Sequence, residues 1–149
     1  MKWHYSLHLF ASLGELWLAR GELAKAQEFA DRCLEIATRT HSRKYEVQGK
    51  RLWGEIALAQ RQWQEAETWL RQALLLARTV GNPPQLWKTY VAMGHLFREM
   101  QQPTHAQEFY QAARDVIYCI KVTLPSAELR TSLEQSPLIQ QIYELSASR

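Results

Sequence analysis

The chain has few residues that break helices, few cysteines and no long apolar run. Among its 149 residues there are six glycines, five prolines and two cysteines. The longest apolar stretches are short and interrupted by charge, which excludes a transmembrane helix. Alternating runs rich in Val, Ile and Thr are also absent, so we expect no β-sheet. The segment 1–5 has neither an apolar core nor a small-residue cleavage site, which excludes a signal peptide.

Positive and negative charges are also nearly balanced. Eighteen Lys and Arg residues against fifteen Asp and Glu residues give a formal net charge of +3, and both signs are scattered along the chain. Nucleic-acid binders usually cluster their positive charge on one face, so we expect no nucleic-acid partner and no membrane partner. Cys33 and Cys119 both lie among apolar residues at helical spacing. This predicts two buried, reduced thiols and a cytoplasmic location.

Motifs for catalysis and cofactor binding are absent as well. The chain contains no glycine-rich phosphate loop, no dinucleotide fingerprint and no zinc-protease motif. His4 and His8 stand one helical turn apart, but a metal site needs a third ligand and none lies nearby in sequence. Glu15 and Glu55 occupy equivalent repeat positions without an accompanying nucleophile. We therefore expect no metal, no cofactor and no enzymatic activity.

What the chain does have is an internal repeat. Gly14, Gly54 and Gly94 lie forty residues apart in the same local frame, a period that indicates stacked helical hairpins. A mid-helix glycine costs about 1 kcal/mol relative to alanine, so three at one spacing predict a close approach of the partner helix. An alanine lies twelve residues after each glycine and is the expected opposing small residue: Ala26, Ala66 and Ala106.

Helix-ending and helix-capping residues divide the repeats into helices. Glycine ends helices at Gly21 and Gly81, while Ser42, Asn82 and Ser126 are the expected N-caps. Long helices are predicted over 3–20, 22–38, 42–61, 62–80, 82–100 and 104–122, and short ones over 126–134 and 137–145. We expect a single domain over 1–149, with repeats over about 3–40, 42–81 and 82–122 and capping helices over 125–147.

The large apolar side chains have expected places in this arrangement. Six apolar residues of the last two helices are expected to cover the flank of the third hairpin: Leu129, Leu133, Leu138, Ile139, Ile142 and Leu145. Trp17 and Trp53 are expected in the core by repeat position. Trp69 is expected to pack against the next repeat. Trp3 and Trp87 lie near helix starts and are expected to be partly exposed.

These marks resemble the tetratricopeptide repeat, whose pattern is W-x2-L-G-x2-Y followed by A-x3-F and A. The first set is Phe10, Leu13, Gly14, Trp17, Ala26, Ala30 and Cys33. The second is Lys50, Trp53, Gly54, Ala57, Ala66, Leu70 and Ala73, and the third is Tyr90, Met93, Gly94, Phe97, Ala106, Tyr110 and Ala113. The period of forty exceeds the family's ~34 residues, and Lys50 replaces an aromatic residue. The resemblance implies an all-α, right-handed α-solenoid of three helix hairpins with a C-terminal capping helical segment.

A narrower resemblance concerns the segments 42–45 and 81–88. These are similar to the last repeats of large bacterial multidomain signalling proteins, in which a cyclase, kinase or ATPase module precedes the repeats. The first predicted helix starts almost at Met1 with no covering helix before it, and a solenoid needs caps at both ends. We therefore expect the chain to be the C-terminal piece of a longer protein.

The family resemblance also implies a concave groove lined by the first helix of each hairpin. Nine polar or charged residues fall on its expected surface: His8, Glu15, Lys44, Gln48, Arg51, Glu55, Lys88, His95 and Arg98. A protein or peptide partner would bind there, with Arg51 or Arg98 gripping a carboxylate through two bonds. Two alternatives remain open. The charges pair with one another and keep the surface soluble, or the helices form a spacer or a homodimerising element of a signalling or transcription-regulatory protein.

Overall fold

The structure, a computed structural model, describes the backbone of residues 2–147 and the side chains of residues 6–147. This stretch forms α-helices and no β-strand. The helices are α1 (Lys2–Ala19), α2 (Leu23–Arg39), α3 (Arg43–Ala59), α4 (Trp63–Val80), α5 (Pro83–Glu99), α6 (Pro103–Thr123), α7 (Ala127–Gln135) and α8 (Pro137–Ala147). None of these helices combines the length and apolarity needed to cross a membrane.

The first six helices pack as three successive hairpins. Each of the pairs α1–α2, α3–α4 and α5–α6 is joined by a short turn and packs along its length. Each second helix also packs against the first helix of the next hairpin, and α1, α3 and α5 adjoin one another in that order. The predicted all-α repeat solenoid is therefore confirmed.

The three repeat glycines lie at buried crossings, as the close-approach argument requires. A Cβ at Gly54 would lie 2.6 Å from Leu70 Cγ, and one at Gly94 would overlap the ring of Tyr110. A Cβ at Gly14 would overlap Leu52 of the next hairpin. The expected opposing alanine is among the nearest groups only at Gly54, where the carbonyl oxygen of Ala66 lies 3.4 Å from the position of such a Cβ, so the expectation was wrong for Gly14 and Gly94. Each glycine instead makes room for a large side chain.

The backbone conformation of the turn between the two helices is the same in all three hairpins, even where the turn residues differ. Gly21, Arg61 and Gln101 lie forty residues apart, and their φ angles are 77°, 61° and 60°. Each is the left-handed residue between the two helices of a hairpin. A side chain in that conformation costs roughly 1–2 kcal/mol, so the second and third turns hold a strained residue where the first has glycine. Arg61 was predicted to end α3, but it lies in this turn.

The predicted caps are only partly present. Asn82 accepts a hydrogen bond from the amide of Gln85 at 3.1 Å, and Ser126 accepts one from the amide of Leu129 at 3.2 Å. The prediction for Ser42 was wrong. Its side chain caps no amide, because its hydroxyl pairs with that of Thr40 at 2.9 Å.

An aromatic pair bridges the two helices of the first and third hairpins. Phe10 stacks on Phe29 with ring centroids 6.2 Å apart, and Tyr90 meets Phe109 at 6.3 Å. These four residues occupy equivalent repeat positions. Such pairs add to the burial energy of the rings.

In the second hairpin, Lys50 replaces the first aromatic residue of this pair. The aromatic contact there is made by Trp53, three residues later in α3. Trp53 stacks on Trp69 at 6.0 Å, so Trp69 forms a ring contact within its own hairpin. Its packing against the next repeat stays a prediction. Lys50 points elsewhere and donates to Gln72 Oε1 at 3.2 Å. The substitution therefore preserves an aromatic contact between the helices.

The end of the chain covers the third hairpin mainly through α8. Ile139 and Ile142 are fully buried or nearly so and pack with Ala113 and Ile117 of α6. By contrast, α7 buries no residue. The capping prediction is confirmed for these two isoleucines but was wrong for Leu129 and Leu138, which remain 48% and 44% exposed.

Two further burial predictions were wrong. Trp87 is only 7% exposed because it packs against Ile139 in the cluster that α8 completes. Cys119 is exposed, whereas Cys33 is buried. The buried stripe of α6 runs through Ala113 and Ile117, and a residue two positions after Ile117 points to the other side of a helix. Trp3 lies outside the described side chains.

Candidate functional site

A pocket of about 390 Å³ lies where α1, α3 and α5 adjoin one another. Its walls combine charged and apolar side chains: Glu15, Leu18, Ala19, Arg51, Glu55, Trp87, Lys88, Val91, Ala92, His95 and Leu138. Five of the nine sequence-predicted groove residues are among them. The helical spacing of these residues explains why, since positions three and four apart share one helix face.

The other four predicted residues do not line this pocket. His8 and Lys44 are exposed, and Gln48 joins the site indirectly by donating to Glu15 Oε1 at 2.8 Å. Arg98 is exposed and lies at a separate surface depression beside α6. The predicted set is therefore divided between the pocket and its surroundings.

Arg51 is the structural centre of the pocket. Its side chain comes from α3 and is only 4% exposed. Nη1 donates to Gln85 Oε1 at 2.5 Å, while Nη2 lies 3.6 Å from Glu15 and Nε lies 3.4 Å from Glu55. These partners belong to α5, α1 and α3, so one guanidinium links all three hairpins. The expectation that Arg51 grips a partner's carboxylate conflicts with this arrangement, because its donors already face the protein's own acceptors.

The two pocket carboxylates remain accessible. The side chains of Glu15 and Glu55 are 48% and 36% exposed. The surrounding pocket walls still remove part of the water around the Glu55 carboxyl, and this desolvation raises its pKa above the usual value, while the charge of Arg51 opposes that rise. The pairing of Arg51 with both acids matches the alternative in which groove charges satisfy one another, although Arg51 itself is buried and not a surface residue.

Lys88 supplies the accessible positive charge of the pocket. No carboxylate among the described residues forms an ion pair with its ammonium, whose Nζ lies 5.7 Å from the centroid of the Trp87 ring. Burial lowers the pKa of Lys88, and the nearby charge of Arg51 lowers it further. A lysine without an ion-pair partner beside an apolar wall is suited to receive an anionic group.

His95 is held in its neutral form. Its Nδ1 lies 2.7 Å from the hydroxyl oxygen of Tyr110, and burial, assisted by the charge of Arg98, lowers the pKa of His95 to about 4. Burial also raises the pKa of Tyr110. At neutral pH this predicted groove histidine is therefore an uncharged hydrogen-bonding group.

No metal-binding cluster is found in the described part of the chain, where no three His, Cys, Asp or Glu side chains are grouped to hold an ion. The possible partner of His8, His4, lies outside the described side chains. Cys33 donates to the carbonyl oxygen of Tyr45 at 3.7 Å. Burial raises the pKa of its thiol to about 12, so the thiol stays protonated and weakly nucleophilic.

Sequence reasoning missed three important residues of the site. Gln85 and Tyr110 hold Arg51 and His95 in place, and Leu138 reaches the pocket from α8. Gln85 lies in the first turn of a helix, where the sequence indicates only a helix start. Its partner Arg51 is 34 residues away in the sequence. No periodic signal marks such a pair, since the contact depends on how α3 crosses α5.

Comparison with known proteins agrees with the all-α helical-repeat fold. Residues 46–117 match the family model for the tetratricopeptide repeat. The likeness to the tetratricopeptide repeat therefore rests on slightly less than half of the chain. Such repeats form a non-catalytic interaction fold and generally mediate protein–protein interaction. The matched region covers most of the second and third hairpins. No curated protein matches the chain.

Proposed function

We propose that this chain is a protein-interaction module whose groove, lined by α1, α3 and α5, holds a peptide segment or part of a neighbouring domain. The observation that carries the proposal is the pocket of about 390 Å³ in which all three hairpins meet. Accessible side chains of both charge signs line this pocket. Glu15 and Glu55 are negative, and Lys88 is positive. A solenoid presents such a concave surface as a consequence of stacking its repeats.

The pocket chemistry suggests the kind of segment that fits. Leu18, Val91 and Leu138 supply apolar surface, and burying one aliphatic side chain of a ligand there is worth about 1.5–3 kcal/mol. Lys88 suits a carboxylate, while Glu15 and Glu55 suit a basic group. The proposed ligand is therefore an extended segment with an apolar residue between charges of opposite sign.

A displayed library of random peptides selected on the purified chain tests this function. Peptides that bind should lose at least about tenfold in affinity, or 1.4 kcal/mol, for Lys88→Glu. Lys25→Glu is the matched control, because Lys25 is an exposed lysine on α2 outside the pocket. If no peptide is enriched, or if enriched peptides bind both variants equally, the groove proposal fails.

Two broader proposals accompany this one and rest on sequence resemblance. We propose that the helices form a single domain with repeats over about 3–40, 42–81 and 82–122 and capping helices over 125–147. We also propose that it serves a bacterial cytoplasmic signalling protein. The alternative of a dimerising element is favoured by one observation: Leu9 and Leu16 of α1 are 51% and 43% exposed.

A further inference from the structure

Leu138 has a different role from the other apolar residues of α8. It lies in the first turn of the helix, lines the groove pocket and is 44% exposed. Ile142, one helical turn later, is 0% exposed and packs with Ala113 and Ile117 of α6. Residues four apart lie on the same side of a helix. The apolar side of α8 therefore begins at the groove pocket and continues along α6.

The repeat architecture explains how the last helix reaches the groove. The second helices α2 and α4 each pack against the first helix of the next hairpin, and α6 packs against α8 in the same way. Helix α8 therefore takes the place that a further first helix would have in the solenoid. The first helices line the groove, and α8 adds Leu138 to that lining.

The apolar end of the pocket is built from two kinds of residue. Trp87 and Val91 of α5 are only 7% and 8% exposed and pack in one cluster with Ile139 of α8. We call Trp87 and Val91 the pocket floor. Leu138 is far more exposed than either, so its side chain projects beyond the floor and bounds the space above it.

The accessible positive charge of the pocket lies beside this floor. Lys88 follows Trp87 in α5, and its Nζ lies 5.7 Å from the centroid of the Trp87 ring. A ligand that places an apolar residue on the floor therefore has its anionic group close to that residue. We propose that Leu138 determines the size of the apolar side chain that the groove accepts, and that the ligand carries an aliphatic residue next to an acidic one. This inference rests on the proposed peptide-binding function.

The physical basis is the sensitivity of an apolar pocket to the size of its ligand. Such a pocket distinguishes side chains that differ by one methylene group by about 10- to 200-fold. Leu138→Ala shortens the bounding side chain to a methyl group and makes room for an aromatic ring. Leu138→Phe fills that space and leaves room only for a smaller aliphatic residue.

The test uses peptides enriched from the displayed library on the full chain, resynthesised with Val, Leu or Phe at their apolar position. Wild type should bind the Leu form more tightly than the Phe form in a titration. Leu138→Ala should raise the affinity of the Phe form relative to the Leu form by about tenfold or more. Leu138→Phe should have the reverse effect and favour the Val form over the Leu form.

Leu129→Ala is the matched control. Leu129 is a leucine of α7 that is 48% exposed and is not among the pocket-lining residues, so its replacement should leave the order of affinities unchanged. A purely structural role of Leu138 would weaken the Leu and Phe forms alike. That result, or a wild-type order of affinities in Leu138→Ala, would overturn the proposal and leave the groove function standing. A library that yields no binding peptide would instead overturn the groove function and this inference together.

Discussion

The first and second hairpins fill the space beside their mid-helix glycine in different ways. In the second, Leu70 from the same hairpin reaches Gly54, and the carbonyl oxygen of Ala66 lies 3.4 Å from where a Cβ would be. In the first, a methyl group of Leu52 from the next hairpin takes the equivalent place beside Gly14. The first hairpin therefore completes its packing with its neighbour. This is the nearest-neighbour dependence expected of stacked repeats.

The largest predicted effect concerns the second hairpin, where Leu70 of the same hairpin fills the space beside Gly54. Gly54→Leu should lower the free energy of unfolding by about 3 kcal/mol or more, because Leu70 and the backbone of Ala66 leave no room for a side chain. Urea-induced unfolding followed by circular dichroism measures it. Ala24→Leu on the exposed face of α2 is the control and should change stability little.

The same substitution in the first hairpin sharpens the comparison. Gly14→Leu should cost less than Gly54→Leu, since Leu52 approaches Gly14 with a terminal methyl group that can rotate away. An equal or larger loss of stability at Gly14 would contradict this distinction. It would mean that a side chain from the next hairpin limits the space as strictly as one from the same hairpin.

The second prediction concerns the contact that links the hairpins through polar groups. Arg51→Ala should destabilise the chain by about 3 kcal/mol, the lower end for breaking a buried charge pair, because Glu15 and Glu55 are partly solvated while Gln85 is buried. Thermal or urea unfolding is the measurement. Lys88→Ala serves as the control, since Lys88 lacks an ion-pair partner among the described residues. A loss at Arg51 no larger than the control would show that the guanidinium does not hold the hairpins together.

The third prediction uses the pH dependence of the third hairpin. Because burial lowers the folded-state pKa of His95 to about 4, the unfolded chain takes up the proton first as pH falls. This contribution is full above pH ~6.5 and is lost progressively toward pH ~4. Wild type should therefore lose about 2 kcal/mol between pH 7 and pH 5 that His95→Gln does not lose.

The control for this pH effect is His8→Gln, which replaces an exposed histidine of α1 and should retain the wild-type profile. Unfolding free energies at a series of pH values give the comparison. If His95→Gln follows the same profile as wild type, the neutral, buried state of His95 is wrong.

The sequence predicted much of the fold because periodic features record it. The spacing of Gly14, Gly54 and Gly94 was enough to place three hairpins, whereas the predicted groove positions were implied by the resemblance to the tetratricopeptide repeat. What the sequence did not reveal depends on contacts between helices. The burial of Arg51 depends on Gln85, and the burial of Trp87 depends on α8. Neither contact produces a repeating pattern in the sequence.

The smallest prediction compares the turns of the first and second hairpins. Both hold a left-handed residue, Gly21 with φ of 77° and Arg61 with φ of 61°. Gly21→Ala should cost about 1 kcal/mol, because a Cβ strains this conformation although space around it is open. Arg61→Gly should change stability in the opposite direction by about the same amount or less, since glycine also gains freedom in the unfolded chain. Measured on otherwise identical chains by urea unfolding, opposite signs would establish that the two turns share one backbone requirement. Equal signs would mean that the Arg61 side chain makes contacts that compensate for its strain, so that the hairpins differ in their turns as they do at their glycines.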